Sequence, residues 1–235
     1  MTPGDVVGRI GPPSDVPIVH AVTTDEVVAR PDFIDVACAV MRALGNRGAL
    51  HLRAHRLSGA RYQALAEGLG AAQALTGAWL VVQDRVDVAL VAGARGAQLT
   101  SQSLTTSDAR RVAPALAIGA SVHDVAEGQA AAVAGADWLV AGQVFTTTLS
   151  AVPAPARGME WVRRLVQVTA CPVIAIGGVR VEHARELGRA GVHGVAVIRG
   201  IWDAPNAEQA AADYLSAYGD DGRTPGVDGP ARRGH

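Results

Sequence analysis

The chain has 235 residues, with 49% hydrophobic and only 4% aromatic side chains, and 21 basic against 22 acidic groups for a formal net charge of −1. That balance gives no general attraction to nucleic acid or to an anionic membrane, and no stretch approaches the roughly 18 uninterrupted apolar residues of a membrane span. Every basic residue is arginine, so Schiff-base chemistry through a lysine amine is excluded, while the length suits one β/α barrel of about 250 residues.

Residues 1–16 carry Pro3, Pro12, Pro13 and three glycines, with no apolar run behind a basic start, which predicts a flexible leader and not a secretory signal. Short aliphatic runs then alternate with amphipathic ones over residues 17–218. Strands are expected at Ile18 to Val22, Ala49 to Arg53, Trp79 to Val82, Gly96 to Leu99, Leu116 to Ala120, Trp138 to Ala141, Val173 to Ile176 and Gly194 to Ile198. Between them, Asp32 to Leu44, Ser58 to Leu69, Asp124 to Val133, Met159 to Val168 and Asn206 to Tyr218 show helical spacing, several opened by Asp, Ser or Asn. This alternation predicts an α/β fold, a single (β/α)8 TIM barrel. A Rossmann-like open sheet competes, but no G-x-G-x-x-G follows the first strand. Residues 219–235 are rich in Gly, Pro, Asp and Arg without a hydrophobic pattern, which predicts a disordered tail.

In such a barrel the functional side chains come from the C-terminal ends of the strands. Those ends here carry His20, Arg53, Gln83 with Asp84, Thr100, Ser121 with His123, Gln143, Gly177 with Gly178, and Arg199. The last two strands run straight into tight turns at Gly177-Gly178 and at Ile198-Arg199-Gly200, where backbone N–H groups can cradle a phosphate. A small phosphorylated metabolite is therefore the expected substrate class. His123 precedes a D-x-x-E pattern, Asp124 with Glu127, that places it at a helix N-terminus, where the dipole favours a neutral imidazole able to act as a general base. A histidine that merely packs under a loop is the plainer alternative. Arg53 can present a guanidinium to a carboxylate or phosphate, or pair with Asp84; Asp84 and Asp87 are read chiefly as caps of the helix that follows. Trp79, Trp138, Trp161 and Trp202 are dispersed and read as packing residues. Cys38 and Cys171 have no metal or disulfide spacing, which suits a reduced, cytoplasmic setting.

Several segments together resemble the thiamine phosphate synthase superfamily over nearly all of residues 17–218. They are His51-Leu52-Arg53, Gln83 to Leu90, Gly119 to His123, Ala134 to Trp138, Ala175 to Gly178 and Gly191 to Val197. In its synthase branch the resemblance implies a Q-L-R-x-K strand end, an acidic pair for Mg²⁺ and a T-x-T-K loop that handle a diphosphate. Here His55, Ser103 and Ser150 stand at the first lysine, second acid and loop lysine positions, leaving Asp84 and a threonine around Thr147. Losing those charges removes much of what stabilises a departing diphosphate. The other branch, the TenI-type thiazole tautomerases, is closer at Val19-His20-Ala21-Val22 and at Gly191 to Val197. That resemblance implies a cofactor-free, metal-free proton shift that aromatises a carboxylated thiazole phosphate in thiamine biosynthesis. It assigns proton transfer to His123 and phosphate binding to Gly177, Gly178, Ile198 and Arg199; on the residues' own chemistry Arg53 is then expected on the carboxylate, His20 and Gln83 polarising the ring, and Ser121 as a further substrate contact. The alternatives are a divergent Mg²⁺-dependent synthase, with Asp84 as metal ligand and His55 or Arg56 replacing a lysine, and a non-catalytic phosphate-ligand-binding barrel. The expected partner is a small phosphorylated thiazole, with no nucleic acid and no membrane, and the default assembly is a symmetric homodimer.

Overall fold

The alternating apolar and amphipathic segments close into a barrel. A computed structural model describes residues 15–146 and 156–219, so the expected leader and tail lie almost wholly outside the described residues. Its strands are β1 Val19–Val22, β2 Gly48–Leu52, β3 Trp79–Gln83, β4 Gly96–Leu99, β5 Ala117–Val122, β6 Trp138–Gly142, β7 Val173–Ile176 and β8 Gly194–Val197. They pair in parallel in chain order, and β8 returns to β1 to complete the ring. The (β/α)8 expectation is met.

Both faces of every strand are buried, and the reading of eight near-continuous apolar runs follows from that. Leu50, Leu52, Leu80, Val82, Ile118 and Leu139 face outward under the helices, where they join Met41, Leu44, Leu69 and Leu165 in one large cluster. Ala49, Trp79, Val81, Ala117, Trp138, Val140, Ile174 and Ala196 face inward and fill the barrel. Trp138 reaches across this interior because Gly96 and Gly119, on β4 and β5, offer no Cβ to stop it. Its indole N–H donates to Gln98 Oε1 at 2.9 Å, and Gln98 Nε2 donates to Ser121 Oγ at 3.0 Å, so a polar chain rises from core to mouth. The tryptophan expectation holds for Trp79, Trp138 and Trp202, all buried, while Trp161 is partly exposed and packs against the outer cluster.

The long helices begin where polar caps were expected. Asp124 accepts from the Glu127 N–H at 2.8 Å ahead of Val125–Val133, and Asn206 accepts from Gln209 N–H at 3.0 Å beside Ala207–Gly219. Helix Gly59–Thr76 runs past the expected end at Leu69. Gly70 lets it lie directly on the Ala92 carbonyl, where a Cβ would overlap, and Gly77 at φ 76° ends it. Five short helices, Asp25–Val28, Val86–Val91, Thr106–Val112, Ala184–Arg189 and Arg199–Trp202, are too brief to show periodicity, and of them only Val86–Val91 was signalled, through the caps expected at Asp84 and Asp87. Among the described residues no helix is long and apolar enough to cross a membrane. Both cysteines are free, and burial pushes the Cys171 thiol up to about 12, an inert state.

Candidate active site

A cavity of about 1380 Å³ opens at the C-terminal ends of the strands. Arg53, Gln83, Asp84, Ser121, His123, Gly177, Gly178, Ile198 and Arg199 all line it. The expected site residues therefore meet at one mouth, with one exception.

That exception is His20, expected beside the ring of the ligand. It is 0% exposed, lies beneath the cavity and is not part of its lining; His51 takes that place. The register explains the difference: His20 pairs with Ala49, and His51 is level with Val22, so His51 stands one pleat nearer the mouth. His20 Nε2 lies 2.8 Å from the Pro17 carbonyl and its Nδ1 lies 2.7 Å from His51 Nε2. Burial holds the His20 pKa down to about 4, against the small upward pull of the Pro17 carbonyl, and burial also lowers His51 well below 6.5. Both rings are thus neutral at physiological pH. A neutral buried imidazole costs stability in acid. The unfolded chain binds these protons near pH 6.5 and the folded chain does not. The favourable difference is therefore complete above pH 6.5 and is lost as pH falls towards 4. His20 alone accounts for about 3 kcal/mol across that window. Urea midpoints measured from pH 7 to 4.5 should fall steeply, and His20→Gln should flatten the profile.

His123 sits at the rim, with 56% of its side chain exposed. The Glu127 carboxylate fixes it twice, accepting from the His123 backbone N–H at 2.7 Å and lying 3.1 Å from Nδ1. This is the turn expected from Asp124 and Glu127, and it leaves the Nε2 edge of the ring for the cavity that the ring lines. Arg53 is held by its backbone: Thr23 Oγ1 accepts from its N–H at 2.8 Å and donates to its carbonyl at 2.9 Å. Among the described residues its guanidinium forms no ion pair with Asp84, so that alternative is not realised.

Asp84 departs most from expectation. It is the one non-glycine described residue with a positive φ, 60°, and it caps no helix: Arg85 occupies the cap position of Val86–Val91, and Asp87 pairs with Arg85 at 2.6 Å. The left-handed turn swings the Asp84 carboxylate across to β4. There Oδ1 accepts from the Thr100 N–H at 3.1 Å, the Thr100 hydroxyl at 2.7 Å and the Ser103 hydroxyl, and Oδ2 accepts from Gln83 Nε2 at 3.2 Å. Asp84→Ala would leave those donors without their acceptor and place a Cβ residue in a left-handed turn with no side-chain compensation. A loss of about 2–3 kcal/mol in urea unfolding is expected.

Gly177 and Gly178, at φ 96° and 64°, make the turn after β7. A Cβ on Gly178 would meet the Thr146 carbonyl at 2.5 Å and Phe145 Cβ at 2.9 Å, so only glycine fits. Beside that turn, on the neighbouring strand end, Arg199 opens the short helix after β8. Among the described residues the N–H groups of Gly178, Arg199 and Gly200 reach no protein acceptor. The loop carrying Thr147 and Ser150 lies outside the described residues.

Sequence reasoning missed further lining groups, among them His51, Arg157, Arg180 and His183, the last stacked on Phe145 with ring centroids 4.0 Å apart. The inward parity of His51 was legible from its strand; Arg157 and Arg180 sit on loops and His183 in the three-residue 3₁₀ helix Val181–His183, none of them with a periodic signal. Arg56, a candidate replacement for the missing lysine, is engaged by Asp25 at 3.6 Å and by Glu26, leaving His55 as the lining residue there.

A closed parallel barrel whose polar groups converge at the strand C-termini defines a β/α barrel with its site in the usual place for that fold. The chain belongs to the TMP-TENI family, described as thiamine monophosphate synthase, which it matches over residues 19–201. It is 32% identical to a thiamine-phosphate synthase of Roseiflexus castenholzii over 210 residues, 89% of this chain and 91% of that one. It is 41% identical to one of Pyrococcus furiosus over 132 residues, 56% of this chain and 63% of that one. That second match spans less than two thirds of the relative's length. Among solved structures, a thiamine phosphate pyrophosphorylase from Pyrococcus furiosus superposes with a TM-score of 0.74 at 30% identity, covering 86% of this chain and 95% of that one. A 3-hexulose-6-phosphate synthase, at TM-score 0.63 and 15% identity, shares the fold alone. These names point to the synthase alternative more than to the tautomerase expectation, for which they give no specific support.

Proposed function

We propose that the chain is an isomerase of thiamine biosynthesis that aromatises a carboxylated thiazole phosphate by moving a proton. The observation that carries this reading is the state of Asp84. In a synthase of this family a Mg²⁺ ion held by two carboxylates would neutralise a departing diphosphate. Here Asp84 stands alone and its Oδ1 is already taken by three donors, with Ser103, at the second acid position, donating one of them. The donor set does not fit the family's Mg²⁺, and no step is derived through it.

What remains suits proton relocation, which needs an anchored anion and a positioned imidazole more than a charged leaving-group site. The free N–H groups of Gly178, Arg199 and Gly200 would bind the phosphate. Arg53 would hold the carboxylate as a planar bidentate partner. Gln83 and Ser121 would border the ring, and His123, oriented by Glu127, would transfer the proton.

A divergent synthase is the second reading, and the names of the relatives favour it over the isomerase. The two separate in one assay. The chain is incubated with Mg²⁺, pyrimidine diphosphate and thiazole phosphate, and thiamine phosphate is followed over many turnovers. No formation above the protein-free control is expected. Sustained formation that chelation abolishes would replace the isomerase reading with the synthase one.

A further inference from the structure

His51 is a buried titratable group on the cavity floor that the mechanism above leaves unused. A carbonyl oxygen only accepts, so the Pro17 contact requires a proton on His20 Nε2. With His20 neutral, its Nδ1 is bare and can only accept, and the 2.7 Å contact therefore places a proton on His51 Nε2. In a neutral His51 the remaining nitrogen, Nδ1, carries a lone pair. Among the described residues Nδ1 has no protein partner, yet the ring lines the cavity and is only 2% exposed. The chain Pro17, His20, His51 thus fixes one tautomer and leaves an unprotonated acceptor on the cavity floor.

Resting on the isomerase reading, we infer that His51 Nδ1 takes the proton from the ring carbon that bears the substrate carboxylate, while His123 supplies the proton that reappears elsewhere on the conjugated system. The placement follows from β2: Arg53, which would hold the carboxylate, is two residues beyond His51 on the same strand end, so the carboxylated carbon sits above His51. His123 follows β5, away from β2 around the ring. In the first half-step the ring C–H bond breaks, its electron pair enters the conjugated system and an N–H bond forms at His51 Nδ1. In the second, His123, which enters this half-step as the imidazolium paired with the Glu127 carboxylate at 3.1 Å, gives its proton to the exocyclic carbon and becomes neutral, and the double bond moves into the ring. His51 has then gained one proton and His123 has lost one, and exchange with water at the cavity mouth restores both. The buried imidazolium exists only beside the anionic substrate, whose charge offsets it.

The test follows exchange of the ring proton of the non-aromatic carboxythiazole phosphate in deuterium oxide by proton NMR, beside isomerisation, in the full chain. His123→Asn should lose isomerisation while retaining ring-proton exchange within about tenfold of the unmodified rate. His51→Gln keeps an amide where Nε2 bonds His20 but has no group at Nδ1, and should lose exchange by about 100-fold or more with its thermal midpoint intact. His51→Asn, which keeps an amide at the Nδ1 position, covers the case in which His51→Gln fails to fold and should also lose exchange. Nitrogen-15 shifts of the unliganded chain should show His51 protonated at Nε2 and bare at Nδ1 at pH 7. Loss of exchange in His123→Asn with retention in a folded His51 variant, or a proton on Nδ1, would overturn the assignment. Absence of both exchange and isomerisation in the unmodified chain would instead overturn the isomerase reading, with the nitrogen shifts still reporting the locked tautomer.

Discussion

Replacing His123 by asparagine should lower isomerisation of the carboxythiazole phosphate by about 10²–10⁴-fold, the range in which a positioned proton-transfer group contributes. The side chain is 56% exposed and its contacts beyond the backbone are limited to Glu127, so the thermal midpoint should not move. Substrate affinity should also hold, because Arg53 and the amides of Gly178, Arg199 and Gly200 anchor the anions. A steady-state assay therefore reads a fall in kcat at constant KM. Glu127→Gln should give a smaller fall, since an amide oxygen can still accept from the His123 backbone N–H.

The second large effect concerns the barrel itself. Gly119→Val would drive side-chain carbons into the Trp138 indole and the Gln98 amide, both of which already occupy the space a Cβ would need. Trp138 is 0% exposed and cannot swing away, and displacing Gln98 also breaks its bonds to Trp138 and Ser121. Overpacking together with a broken buried network should cost about 3 kcal/mol or more, read as a loss of urea midpoint at constant m-value. Trp138→Leu in the same background should recover part of that loss by making room for the valine.

The sequence carried the barrel because its strands are buried on both faces and therefore read as short apolar runs at regular spacing. It also carried most of the mouth, because strand ends bring their residues together whatever the loops do. It misplaced His20 for a definite reason. Strand parity tells which residues point inward, but the height of each one depends on the stagger between neighbouring strands, and only the pairing of His20 with Ala49 shows that His51 stands above it. Asp84 was misread as a cap because the left-handed turn at φ 60° reverses the direction of its side chain, and aspartate is one of few residues that adopts such a turn without glycine. Arg180 and His183 lie in the turn after Gly178 and the single 3₁₀ turn Val181–His183 that it leads into, where position follows from the turn and not from any periodic pattern.

The central claim is proton relocation on a carboxylated thiazole phosphate by side chains alone, and it is tested most directly by mixing that substrate with the chain in excess chelator and following aromatisation by proton NMR. The account predicts turnover well above the uncatalysed rate, equal to that with Mg²⁺ present and lowered about 10²–10⁴-fold by His123→Asn. An inert mixture, or turnover that returns only when Mg²⁺ is restored, would contradict it.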